Sequence, residues 1–122
     1  MLQQWVQSSG RITDDPMDIL WHYANGEMPF WINGHDGPIG WVRGTHRGVQ
    51  QLDRVNIPKS QKRYVHSPRF EIRYNTAFEE VVRACADIRR EGKTFIVEEL
   101  IRGYIALNKL GFAHSYEAWS GD

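Results

Sequence analysis

The sequence predicts an α+β fold, with a small α/β portion over residues 1–57 and a strand, two helices and a second strand over residues 58–122. Three observations carry the prediction. Helices with their own start and stop residues recur along the chain. Two stretches, "RFEIRYN" and "AHSYEAW", alternate in size and polarity as half-buried strands do. Between the first helix and the rest lies a segment dense in Gly, Pro and aromatics, which favours short strands and turns.

In chain order, "DDPMDILWHYANG" starts a helix with Asp15 as the cap and Pro16 at the first helical position. It places Ile19, Leu20 and Tyr23 at helical spacing and stops at Gly26. Brief strands are expected at Ile39 to Val42 and Gly48 to Leu52. "PKSQKRYVH" predicts a short basic helix with Pro58 near its start, and "RFEIRYN" a strand ending at Asn75. In "TAFEEVVRACADIRREG", Thr76 and Glu79 have capping-box spacing, Phe78, Val81, Val82, Cys85 and Ile88 form one apolar stripe, and Gly92 ends the helix. The next helix, about Glu98 to Leu110, turns Leu100, Ile101, Tyr104, Leu107 and Leu110 inward and ends at Gly111; Val97 gives it a poor cap. Ala113 to Trp119 is expected as a strand, with Ser120-Gly121-Asp122 opening a turn. The polar stretch from Leu52 to Ser60 is the expected domain boundary.

The 122 residues are 41% hydrophobic and 25% charged, an ordinary globular composition. No apolar run is long enough to cross a bilayer, so no membrane partner is expected. "MLQQWVQSSG" lacks the basic and apolar regions of an export signal, and the expected location is the cytoplasm. The single Cys85 excludes an internal disulfide, has no neighbours at zinc-ligand spacing, and is expected in the core. No metal or other cofactor is expected. Zero net charge conceals an asymmetry: between Arg43 and Arg73 eight basic residues face only Asp53 and Glu71, a local balance of +6, so the remainder carries −6. Such a strip suits phosphates; a solvated face is the commoner reading, since Lys and Arg are common surface residues.

No catalytic constellation emerges from spacing. His35 with Asp36 and His46 with Arg47 are loop pairs without a nucleophile, and His114 beside Ser115 is expected to be a structural residue bonded within the sheet. Glu79, Glu80, Glu98 and Glu99 sit where acidic side chains complement helix N-termini. The aromatics Tyr23, Phe30, Trp31 and Trp41 crowd a short segment. Either they form a small core, or some remain exposed and stack on nucleobases.

"YANGEMPFW", the basic link, and "RFEIRYNTAFEEVVRACADIRREGKTFIVEELIRGYIALNKLGFAHSYEAW" together resemble the leucyl/phenylalanyl-tRNA-protein transferases of the bacterial N-end rule pathway. The likeness runs from Ser9 to Trp119. It implies an aminoacyltransferase that moves Leu or Phe from aminoacyl-tRNA to the N-terminal Arg or Lys of a protein, and a small N-terminal domain followed by an acyltransferase domain of the GNAT type. It further implies that Tyr23, Phe30 and Phe95 line the site for the tRNA's 3'-terminal adenosine and that Lys59, Lys62 and Arg63 contact acceptor-stem phosphates. Two departures stand out. The family usually has Trp at the positions of Phe30 and Phe95, and its "WWSP" is here Trp41-Val42-Arg43-Gly44, so weaker adenosine stacking is expected.

In the family, the portion after the strand matching Ala113 to Trp119 carries the catalytic acid and amide residues. The resemblance therefore implies an incomplete GNAT-like β-α-α-β unit with no catalytic residue of its own. The chain is expected to be inactive until that portion is supplied, and to self-associate through an uncovered terminal strand. The competing reading is a non-catalytic module that binds the tRNA acceptor end or a nucleotide.

Overall fold

The computed structural model describes residues 5–32, 34, 37–87 and 94–121, with side chains from residue 10 onward. The expected mixture of helix and sheet is present, and the chain is α+β. The first sheet has the order β1-β3-β2, with β1 (Trp5–Arg11), β2 (Met28–Trp31) and β3 (Ile39–Gly44) all antiparallel. β1 and β2 are strands that the sequence pattern did not predict. Pro29 is tolerated in β2 because β2 is an edge strand. The expected strand at Gly48 to Leu52 is absent. Its place is taken by irregular chain and one 3-10 turn, Leu52–Arg54, in a stretch where every residue from Thr45 to His66 is exposed and no pleated surface is available to join.

α1 (Pro16–Ala24) forms as the caps predict, with the Met17 N–H donating to Asp15 Oδ1 at 2.9 Å. Gly26 and Gly111 follow α1 and α4 (Glu98–Lys109) with φ of 74° and 84°, the left-handed conformation that ends a helix. α2 (Lys59–Val65) is the short basic helix, and no residue of it is buried. β4 (Phe70–Tyr74) and β5 (Tyr116–Ser120) form a second, two-stranded antiparallel sheet, with Ile72 opposite Ala118 and Tyr74 opposite Tyr116. α3 (Phe78–Ala86) and α4 connect these strands.

One core serves both halves of the chain. Ile19 of α1, Trp41 of β3, and Leu100 and Leu107 of α4 are buried together, with Leu20, Val97 and Tyr104 packed around them. α1 lies so close to α4 that a Cβ on Gly103 would sit 2.1 Å from Ile19 Cδ1. Beside this core His22, 4% exposed, stacks on Trp41 at 4.2 Å and meets Glu27 Oε2 through Nδ1 at 2.5 Å, while Arg43 Nη2 donates to Glu27 Oε1 at 3.1 Å.

Several expectations need correction. Thr76 does not close a capping box with Glu79. The N-cap of α3 is Ala77, without a side-chain cap bond, because a better acceptor arrives from β5. Glu117 accepts from the Thr76 hydroxyl, from the Thr76 and Ala77 N–H groups at 3.3 and 3.1 Å, and from Ser115 Oγ at 2.6 Å. Of the α3 stripe, Val82 is buried but Cys85 is exposed, not in the core. Leu110 is 55% exposed, since α4 has already ended when its side chain emerges. The last strand begins at Tyr116 rather than Ala113, because the Ala113 carbonyl and the Ser115 N–H are taken by Asn108 and Asn75 side chains. Ile88, Gly92, the His35-Asp36 pair and Asp122 lie outside the described residues.

Two predictions test this packing. Leu100→Ala removes a fully buried side chain and should lower unfolding stability by about 2–5 kcal/mol in a denaturant titration. The hydrogen bond from Ser115, followed by that from Thr76, holds the Glu117 carboxyl down to about 2 from an ordinary 4.5. A depressed carboxyl stabilises the fold above its unfolded-state pKa, and that contribution fades as pH falls to the folded-state value. The stability gap between the native chain and Glu117→Gln should therefore be full at neutral pH and close between 4.5 and about 2. A gap that stays constant across that window would contradict the assignment.

Candidate functional site

Two aromatic groups flank the core. In the first, Phe30 and Trp31 extend from β2 toward Phe95, which a tight turn presents just before α4. In that turn the Ile96 N–H donates to Thr94 Oγ1 and the Val97 N–H to the Phe95 carbonyl, each at 3.1 Å. The rings of Phe30 and Phe95 lie 5.8 Å apart and tilted by 46°, and Trp31 meets Phe95 edge-on, also at 5.8 Å. All three are half-buried, so each keeps surface for a ligand. Phe30 and Phe95, 65 positions apart in the sequence, are thus brought together.

The second group is centred on Tyr23. Its ring stands edge-on to Trp41 at 5.6 Å, and its hydroxyl meets that of Tyr104 at 2.6 Å. Burial raises the pKa of both phenols; at Tyr23 the bond to Tyr104 works against that rise, whereas at Tyr104 the neighbouring Tyr23 adds to it. Both remain protonated donors at neutral pH. The pair forms part of a cleft of about 420 Å³ completed by Leu20, Leu107, Phe112, Ala113 and His114. Trp41 itself is fully buried and belongs to the core.

Sequence reasoning placed Tyr104 only as an inward helix residue and His114 as a sheet residue. His114 is instead exposed, lies just before β5, and stacks on Tyr74 at 5.3 Å. Asn75 next to it has φ of 56°, a conformation that Asn adopts more readily than most residues. An Asn closing a predicted strand was the signal available for such a turn.

Lys59, Lys62 and Arg63 share α2, three and four positions apart, on a helix with no acidic residue in its first turn. Arg63 bonds the Tyr64 hydroxyl at 2.9 Å and lies over that ring. Lys59 and Lys62 make no ion pair among the described residues, and none of the three touches Tyr23, Phe30 or Phe95 by hydrogen bond or ring contact. Elsewhere in the basic strip the charge is partly committed. Arg43 pairs with Glu27, Arg73 with Glu71 at 2.9 Å, and Arg47 donates to the Gly26 carbonyl. Among the described residues no group of three His, Cys, Asp or Glu side chains could hold a metal ion, and no described helix is long and apolar enough to cross a membrane.

The proteins this chain is similar to are transferases. The family model described as leucyl/phenylalanyl-tRNA protein transferase matches residues 49–122. Proteins named leucyl/phenylalanyl-tRNA--protein transferase are 40% identical over 109 residues in Anaeromyxobacter sp., covering 88% of this chain and 46% of the relative, and 42% identical over 108 residues in Gloeobacter violaceus, covering 88% and 54%. One from Chlorobaculum parvum is 40% identical over 103 residues, covering 84% and 53%. The chain belongs to the leucyl/phenylalanyl-tRNA protein transferase family. It spans about half the length of the curated relatives it matches.

Tyr104→Phe tests the phenol pair. It should cost about 0.5–1.5 kcal/mol of stability, the scale of one hydrogen bond, and shift Tyr23 ionisation to still higher pH, because it removes the one contact that lowers the Tyr23 pKa. Absorbance-monitored titration of the phenols reads the second effect.

Proposed function

We propose that the chain supplies the acceptor-end binding part of an aminoacyltransferase that moves Leu or Phe from aminoacyl-tRNA to the N-terminal Arg or Lys of a protein. The single observation that carries this reading is the convergence of Phe30 and Phe95 on one half-buried aromatic site in a chain of this family. Tyr23, Phe30 and Phe95 receive the 3'-terminal adenosine by stacking and by the phenol's hydrogen bond, and Lys59, Lys62 and Arg63 meet acceptor-stem phosphates. A strand–helix–helix–strand order with antiparallel outer strands supports reading residues 58–122 as the first part of a GNAT-like domain, following an N-terminal domain over residues 1–57.

The 122-residue chain by itself should transfer no leucine from charged tRNA to a peptide with N-terminal Arg, because the resemblance places the catalytic acid and amide in residues it does not contain. Detectable transfer would overturn that expectation. Replacing Lys59, Lys62 and Arg63 together with Ala should weaken RNA binding at every sequence and reduce the salt slope by about 2–3, one counterion term per lost phosphate contact. An unchanged slope returns the three residues to a solvated face.

The second sheet supports reading the isolated chain as self-associating. Among the described residues β5 pairs only with β4, and the face carrying Phe70, Ile72, Tyr74 and Tyr116 is exposed, Tyr116 by 75%. An open edge beside apolar side chains invites pairing between chains. Sedimentation of the isolated chain should show association that rises with concentration and is reduced in Tyr116→Lys; a concentration-independent monomer would rule it out.

A further inference from the structure

The turn between β4 and α3 holds a polar relay with a fixed direction. Asn75 Oδ1 accepts from the Ser115 N–H at 2.9 Å, and a backbone N–H can only donate. Asn108 Nδ2, which donates to the Ala113 carbonyl at 2.8 Å, gives Asn75 Oδ1 a second hydrogen bond at 3.2 Å. The orientation of the Asn75 amide is therefore decided, and its Nδ2 must be the donor in the 2.9 Å contact with His114 Nδ1. An accepting Nδ1 carries a lone pair, so the neutral imidazole bears its proton on Nε2. Nε2 makes no hydrogen bond among the described residues, and His114 lines the same cleft as Tyr23 and Tyr104.

The cleft suits a flat, partly polar ligand. Leu20, Leu107, Phe112 and Ala113 line it with apolar surface, and the hydrogen-bonded phenol pair and His114 add polar groups to the lining. A purine presents in-plane ring-nitrogen acceptors between two apolar faces, which complements that arrangement.

We infer that His114, set in its Nε2–H tautomer by Asn75, is a ligand-binding residue that donates a hydrogen bond to a ring nitrogen of a purine nucleotide in the Tyr23–Tyr104 cleft. This inference rests on the reading of the chain as an acceptor-end binder and adds to it a donor outside the Phe30–Phe95 stack.

The test is nitrogen-detected NMR of the histidine rings in the full chain, with AMP as the probe. The native chain should show His114 in the Nε2–H form, and AMP should shift its Nε2 and Cε1 signals. Asn75→Asp exchanges the donor for an acceptor and should place a proton on Nδ1; an unchanged ring would overturn the relay. His114→Ala should weaken AMP binding roughly three- to tenfold, the scale of one hydrogen bond, and His114→Gln, whose amide can occupy the Nε2 position, should recover most of it. AMP shifts at Phe30 and Phe95 with none at His114 overturn this inference and leave the proposed function standing. Shifts at none of the three overturn both. The tautomer and the AMP shifts are read on the native chain, so the inference stands or falls there even where a variant fails to fold.

Discussion

The close approach of α1 to α4 is the constraint on which the rest of the molecule depends. Gly103 offers no Cβ, and Ile19 occupies the space one would fill. Leu100 lies three positions before Gly103 and Leu107 four after, so both face α1 and enclose Ile19 in the core. The same phase carries outward. Tyr23 lies one helical turn beyond Ile19, and Tyr104 directly follows Gly103, and their hydroxyls meet at 2.6 Å. A side chain at 103 would force the end of the Ile19 side chain out of its place in the core. The site is thus an extension of the core packing, not a loop laid over it.

A second constraint organises the far side. The start of α3 and the turn after β4 have no adequate local partners, and their polar groups are satisfied by residues about 40 positions later. Glu117 serves the Thr76 and Ala77 N–H groups, and Asn75 exchanges bonds with Ser115 and His114. The hydrogen bonds from Ser115 and Thr76, with those of the Thr76 and Ala77 N–H groups, favour the ionised carboxylate and outweigh the opposing effect of desolvation, which is why its pKa falls so far. These contacts fix where β5 begins, and so where His114 sits relative to the cleft. Strand pairing sets the direction of the chain; side-chain hydrogen bonds set its register.

What could be read in the sequence follows from the range of the interactions. α1, α2 and α4 were legible because their signals are local: Asp15 and Pro16 at one end, Gly26 or Gly111 at the other. β4 was legible from its alternation. β2 was not, since four residues including Pro29 become a strand only when β3 is beside them, and β1 depends on β3 in the same way. The expected capping box at Thr76 failed for the same reason, a distant acceptor outcompeting a near one. Of the site, family likeness grouped Tyr23, Phe30 and Phe95; the rings of Phe30 and Phe95 come together, whereas Tyr23 stands with Trp41 and Tyr104. The Tyr23–Tyr104 bond and the Asn75–His114 relay join residues 81 and 39 positions apart, and no spacing rule reaches them.

The charge pattern divides along structural lines in a way the composition could not reveal. Of the strip that gives the middle of the chain its +6, Arg43, Arg47 and Arg73 are held by Glu27, the Gly26 carbonyl and Glu71. α2 has no such acceptors, so the field it projects is set by Lys59, Lys62 and Arg63. Exposed ammonium groups without carboxylate partners keep their full attraction for a polyanion, weakened only by salt. The open face of the second sheet has the opposite character, with Ile72 67% exposed between Phe70 and Tyr74 and no charged residue among those the paired strands turn to it. A polyanion gains nothing from such a face, and an apolar chain gains nothing from α2. The two exposed surfaces therefore differ in kind, one charged and one apolar, and charge on the first can be altered without changing the second.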